Sequence, residues 1–143
     1  MAFKGLDPLV CFSVKSNSNL AILRLLVQAG SGMDVVSGGE LFRALKAGCA
    51  AKNIVYAGVG KTAAEIEAGI KNGIKFFNVE SVAELERINS AAYRLKKIQD
   101  VCLRLNPDVD PKTHKFITTG KKETKFGLGF NVVKKLLNSR GKY

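Results

Sequence analysis

Leu9-Val10-Cys11-Phe12-Ser13-Val14-Lys15-Ser16-Asn17-Ser18-Asn19 is the stretch on which the fold turns. A mostly apolar run of strand length ends in one amine, and Ser16 to Asn19 supply the polar start of a helix. A helical pattern follows at once, with Leu20, Ile22, Leu23, Leu25, Leu26 and Val27 inside residues 19–28. A strand that passes through a polar turn into a helix is the unit from which parallel sheets are built. In such chains the carboxyl end of a strand is where chemistry is placed, and Lys15 stands there. An amine fixed at that point above an apolar stem can form a Schiff base with a carbonyl once its proton is removed.

The unit repeats. Further strand-like runs lie at 33–36, 54–57, 75–79 and 100–105, separated by helical patterns at 39–47, 63–71 and 82–95. Most of the strand runs are apolar at nearly every residue, which predicts parallel strands covered on both faces. In the longest helical pattern Val82, Leu85, Ile88, Ala92 and Leu95 recur at spacings of three and four, one stripe of a helix. The punctuation agrees. Ser37-Gly-Gly-Glu40, Thr62-Ala-Ala-Glu65 and Ser81-Val-Ala-Glu84 each fit a capping box, in which hydroxyl and carboxylate satisfy first-turn amides reciprocally. Three helices end at Gly30, Gly48 and Gly73, as expected where the chain must turn left-handed to stop. The alternation gives an α/β fold with a parallel sheet, either wound open in a small doubly wound domain or forming part of a (β/α)8 barrel.

The chain has 143 residues, enough for one domain with a buried core. No apolar run approaches the ~20 residues that cross a bilayer, and Met-Ala-Phe-Lys-Gly at the start lacks a signal-peptide layout. The expectation is a cytoplasmic protein without a membrane partner. Cys11, Cys49 and Cys102 form no CxxC pair and read as free, mostly buried thiols suited to a reducing compartment. Residues 1–110 carry 14 Lys+Arg against 11 Asp+Glu, a balance of +3, whereas residues 111–143 carry 9 against 1, a balance of +8. That basic end lacks interleaved aromatics and any nucleic-acid motif, so it reads as a solvated face or a surface for a further segment. No nucleic-acid partner is expected.

If the strands are parallel, their carboxyl ends form one rim holding Lys15, Asp34 to Ser37, Ala57-Gly58, Asn78, Glu80, Arg104 and Asn106. This set suits an anionic, polar ligand with a carbonyl to trap. Arg104, flanked by apolar residues in Val-Cys-Leu-Arg-Leu-Asn-Pro, needs an anion or acceptor partner. Glu40 is accounted for by its cap. His114, the only histidine, lies in a polar stretch and reads as an exposed loop residue. Gly58-Val-Gly60-Lys61-Thr62 looks like the tail of a P-loop, but the glycine required five residues before Gly60 is Val55. No His pair or Cys/His cluster points to a metal.

Taken together, Phe12-Ser-Val-Lys15-Ser-Asn17-Ser-Asn-Leu20-Ala-Ile and Gly32-Met-Asp34-Val-Val-Ser-Gly-Gly-Glu40-Leu resemble the pyridoxal-phosphate barrel of the ornithine/diaminopimelate/arginine decarboxylases. Ala57-Gly-Val-Gly-Lys-Thr62, Phe77-Asn-Val-Glu-Ser81 and the run from Leu103-Arg-Leu-Asn-Pro to Thr-His114, Thr119-Gly120 and Lys125-Phe-Gly127 resemble the diaminopimelate branch of that family. The likeness runs from about residue 6 to 127. Ser13 departs from it, standing where the family usually has alanine or proline.

The resemblance implies a partial (β/α)8 TIM-type barrel of about five parallel strand–helix units, occupying residues 1–143 as one pyridoxal-phosphate-binding domain. It implies pyridoxal 5'-phosphate carried on Lys15 as the catalytic residue, with Asp34 and Arg104 beside the cofactor and Glu40 at an acidic position near the site. It implies PLP-dependent decarboxylation of meso-2,6-diaminopimelate to L-lysine and CO2, a small-molecule amino-acid substrate, and a homodimer at full length. An ornithine/arginine-type decarboxylase and a non-catalytic pyridoxal-phosphate-binding fragment are the alternatives. The family's ring-stacking histidine, phosphate loop, ring-facing glutamate and β-rich second domain have no counterpart in this sequence. The chain therefore reads as the first half of such a barrel, inactive alone and with sheet edges open to aggregation.

Overall fold

A computed structural model describes residues 3–107, 126–139, 141 and 143. Its elements alternate in chain order: β1 Cys11–Ser13, α1 Leu20–Gln28, β2 Gly32–Val35, α2 Gly38–Lys46, β3 Ile54–Tyr56, α3 Ala63–Asn72, β4 Phe76–Val79, α4 Val82–Arg94 and β5 Val101–Leu103. β1 to β5 form one sheet in sequential order, and every pairing is parallel. A doubly wound sheet reverses its strand order at a switch point; this one does not. With right-handed crossovers, sequential order puts all the helices on one face. The side-by-side packing of α1 on α2, α2 on α3 and α3 on α4 agrees. The architecture is thus the singly wound arrangement of a (β/α)8 barrel, of which the described residues form about five units.

Alternation along the strands divides their residues between two faces. Met33, Val35, Ile54, Tyr56, Phe77 and Val79 are fully buried and share one core with Leu23, Leu41, Ile66, Ile70, Leu85 and Ile88 of the helices. The other face carries the row Ser13, Asp34, Val55 and Phe76, set opposite one another by the register. No helix among the described residues covers it, and Ser13, Asp34 and Phe76 are only half-buried. Of the cover expected on both faces, the described residues supply one side. Apolar runs were read as two-sided burial, but the inner face of a barrel is sealed by strands opposite it rather than by helices.

Two further expectations change. The run expected as one strand over 100–105 breaks at Arg104. β5 pairs with β4, whereas β6 Leu105–Asn106 pairs with β7 Leu128–Gly129 in a second small sheet. Arg104 marks the hand-over, its N–H donating to the Val79 carbonyl (3.0 Å) and its own carbonyl accepting from the Leu128 N–H (2.7 Å). Cys102 is exposed rather than buried, because β5 is the last strand of its sheet among the described residues. Cys11 is half-buried and Cys49 buried, and all three are free thiols. One helix was not anticipated: α5, Phe130–Asn138, which buries Leu136 in the core. His114, Thr119, Gly120 and Lys125 lie outside the described residues, as does much of the basic segment. No helix among the described residues is long and apolar enough to cross a membrane.

The helix ends follow their sequence signals closely but not uniformly. Gly30, Gly48 and Gly73 take φ values of +88°, +93° and +72°, conformations that a side chain would strain. Of the three capping boxes only Thr62/Glu65 closes fully. Ser37 and Ser81 do cap their helices. Their glutamates, however, reach one residue further back, Glu40 to the Val36 N–H (2.9 Å) and Glu84 to the Glu80 N–H (2.9 Å). Each carboxylate therefore holds the turn where strand becomes helix, as well as the helix start. Glu65 also spans to the next turn, accepting from the Gly38 N–H at 2.6 Å. The Thr62 backbone bond, with the Gly38 amide and Thr62 hydroxyl, draws its carboxyl down to about 2 against an opposing push from burial.

A carboxyl held below its unfolded value stabilises the fold above that value, and the contribution fades as pH falls toward the folded one. Glu65→Gln is therefore expected to lower stability at neutral pH and to flatten the loss between about pH 4.5 and 2 seen in acid titrations of unfolding. A second expectation concerns Gly69 of α3, where an added Cβ would lie 2.5 Å from the buried Phe77 ring. Gly→Ala inside a helix gains about 1 kcal/mol in propensity, whereas overpacking costs roughly 1–3 kcal/mol. Gly69→Ala should thus lower the urea midpoint; a raised midpoint would show that the ring yields freely.

Candidate functional site at the strand ends

Lys15 stands in a 3-10 turn, Val14–Ser16, that caps β1. Val14 anchors the turn in the core with no exposed surface. The Ser16 hydroxyl donates to the Ser13 carbonyl (2.7 Å) and the Asn17 N–H to the Val14 carbonyl (3.1 Å). Asn17 and Asn19 then carry the chain into α1, accepting from the Asn19 and Ala21 amides. The backbone under Lys15 is tied on both sides, while its side chain is exposed and has no partner among the described residues.

Asp34, on β2, pairs in register with Ser13. The Ser13 hydroxyl donates to Asp34 Oδ2 at 3.2 Å, whereas Asp34 Oδ1 is buried and unpartnered. An alanine or proline at position 13 would leave both oxygens open. A buried carboxylate oxygen without a donor is costly, so Oδ1 is an acceptor waiting for one. Ser13 lies two residues before Lys15, which puts amine and carboxylate at neighbouring strand ends.

Beyond β3 a second group forms. Glu80 follows β4 and is buried, and its Oε1 accepts from Arg104 Nη1 at 3.0 Å. Glu80 Oε2 is, among the described residues, the other buried carboxylate oxygen without a partner. Arg104 keeps 43% of its side chain exposed and lies over the Phe126 ring, 5.3 Å from its centroid. Its acceptor is therefore Glu80 rather than Asp34. Glu40 spends one oxygen on the Val36 amide. Lys15, Asp34, Glu80 and Arg104 all stand at carboxyl ends of parallel strands, so the rim read from the sequence exists.

Sequence reading passed over Lys61 and Glu84. Lys61 resembled the end of a P-loop and Glu84 part of a cap. In the structure they form a buried ion pair at 2.6 Å, with side chains 1% and 3% exposed. Lys61 Nζ also donates to the carbonyls of Gly58 (2.7 Å) and Asn78 (2.8 Å), so all three of its N–H groups are used and none is free for a phosphate. The only hint in the sequence is a lysine immediately before a cap residue, Thr62. Its partner lies 23 positions away, beyond any local pattern.

An apolar groove is lined by Ile88, Ala92, Ile98, Val101, Leu136 and Leu137, and none of Lys15, Asp34, Glu80 and Arg104 lines it.

A sequence model of the pyridoxal-dependent decarboxylase, pyridoxal binding domain, matches residues 2–142. The diaminopimelate decarboxylase of Neisseria meningitidis serogroup B is 52% identical over 129 residues, which cover 90% of this chain and 31% of that protein. The crystal structure of Helicobacter pylori diaminopimelate decarboxylase complexed with L-lysine superposes with a TM-score of 0.90 at 48% identity, covering 97% of this chain and 36% of that one. That of the M. jannaschii enzyme in co-complex with L-lysine gives 0.82 at 45% identity, covering 92% and 31%. The chain spans about a third of the length of the curated relatives it matches.

A buried pair broken on one side leaves an uncompensated charge, which costs about 3–5 kcal/mol, whereas apolar replacement of both partners is often nearly neutral. Lys61→Ala should therefore lower unfolding free energy by about 3–5 kcal/mol. Lys61→Met/Glu84→Leu should lose far less in the same denaturant titration.

Proposed function

The chain belongs to the pyridoxal-dependent decarboxylases through their pyridoxal-binding domain, and from that premise we propose that Lys15 is the residue that carries pyridoxal 5'-phosphate. The domain is then one part of a larger enzyme that also needs a second half-barrel and a β-rich domain. The observation that carries this reading is an exposed amine on a rigid turn, without a partner among the described residues, next to a carboxylate with one buried oxygen open. The donor set fits the group. Lys15 offers an amine to its aldehyde, Asp34 Oδ1 an acceptor to a hydroxyl or protonated nitrogen, and Arg104 a half-exposed guanidinium to an anionic oxygen.

When bound, the cofactor supplies an electron sink for the pair released as CO2 leaves. The residues of this chain bind and orient. The tethered turn fixes where the Lys15 amine stands, and Ser13 holds Asp34 Oδ2 so that Oδ1 keeps one direction. Arg104, held by Glu80 and lying over Phe126, presents its remaining N–H groups at the rim.

The full-length protein is proposed to remove CO2 from meso-2,6-diaminopimelate, giving L-lysine, as a homodimer in the cytoplasm. Relatives of that name at about half identity, two of them solved with L-lysine, support this substrate.

The test is borohydride reduction of the full-length protein with pyridoxal phosphate, followed by peptide mass mapping. The label should fall on the peptide holding Lys15, and Lys15→Ala should lose both the label and CO2 release. Label retained by Lys15→Ala, or found on another lysine, contradicts the assignment.

A further inference from the structure

We infer that Glu80 is a positioning residue for Arg104, and that the buried Lys61–Glu84 pair sets Glu80 in place; this rests on the reading that Arg104 faces the cofactor. Arg104 stands where the chain leaves one sheet for another, and a long, half-exposed side chain there has little of its own to fix it. Glu80 is the anion that holds it, at 3.0 Å, from a side chain that is itself 3% exposed.

Glu80 is held in turn. Its N–H donates to Glu84 Oε2 (2.9 Å), and Glu84 Oε1 accepts from Lys61 Nζ (2.6 Å). Lys61 spends its other two N–H groups on Gly58 and Asn78, the backbone just past β3 and near the end of β4. The Arg104 N–H bonds the Val79 carbonyl, so the base of the arginine is tied to the residue before Glu80. One buried ammonium thus pins two strand ends, and through one carboxylate it fixes the residue that aims the guanidinium. Helix capping alone does not account for Glu84, whose carboxylate reaches past its own cap residue to the Glu80 amide.

The test uses the full-length protein without cofactor, with the arginine side chains followed by nitrogen NMR, and then cofactor affinity by titration. In the parent protein the Arg104 guanidinium should give a separate, slowly exchanging resonance. In Glu80→Gln, and in Lys61→Met/Glu84→Leu, that resonance should merge with those of the solvent-exposed arginines while circular dichroism stays unchanged. Loss of a hydrogen bond to a charged group should weaken cofactor binding by roughly tenfold in Glu80→Gln. Adding Arg104→Gln should then weaken it no further, since both changes remove one interaction. An Arg104 resonance unmoved by Glu80→Gln overturns the proposal, as do losses from Glu80→Gln and Arg104→Gln that multiply independently. Should the double variant not fold, Glu80→Gln, which keeps the side chain's volume, decides. If the parent protein binds no cofactor, the preceding functional reading fails, and the arginine resonance still decides this one.

Discussion

All five strands of the main sheet run in one direction and in sequential order, so every turn from strand to helix opens at a single rim. That constraint brings the candidate site residues to one rim. Lys15, Asp34, Glu80 and Arg104 are up to 89 positions apart in sequence, yet each stands at or just past the carboxyl end of its own strand. The helix face of the sheet supplies the burial, and the other face keeps half-buried polar residues that a packed core would not tolerate.

The rim is organised by carboxylates more than by the groups that would meet a ligand. Glu40, Glu65 and Glu84 each take an N–H from the turn where a strand becomes a helix. Two of them also act beyond their own unit, Glu65 through the Gly38 amide and Glu84 through Lys61. Neighbouring units are locked at the end where precision matters, because a site assembled from several strands is only as accurate as the spacing between them. Asp34 and Glu80 stand apart from this group. Each keeps one buried oxygen without a donor among the described residues, an arrangement that costs free energy until a donor meets it.

Local chemistry was legible in the sequence. The residues that form β1 to β5 and α1 to α4 could be read from apolar periodicity, and the stops at Gly30, Gly48 and Gly73 from the need for a left-handed residue. Lys15 and Asp34 could be placed because a strand end is a local feature. Pairings across the chain were not legible. Nothing near Lys61 announces Glu84, and nothing near Arg104 announces that β5 ends before it, because the competing strand, β7, lies more than 20 residues on. The one-sided cover of the sheet was missed for a similar reason: a strand packed between helices and a strand lining a barrel look alike in apolar content. The segment of α5 carried its own apolar spacing at Phe130, Val133, Leu136 and Leu137, but the concentration of charge around it drew the reading toward a solvated tail.

A crystal structure of the full-length protein grown with pyridoxal phosphate tests the central claim most directly. The account predicts continuous density from Lys15 Nζ into the cofactor, with Asp34 and Arg104 in contact with it. Cofactor joined to a different lysine, or bound away from the carboxyl ends of β1, β2 and β5, would contradict it.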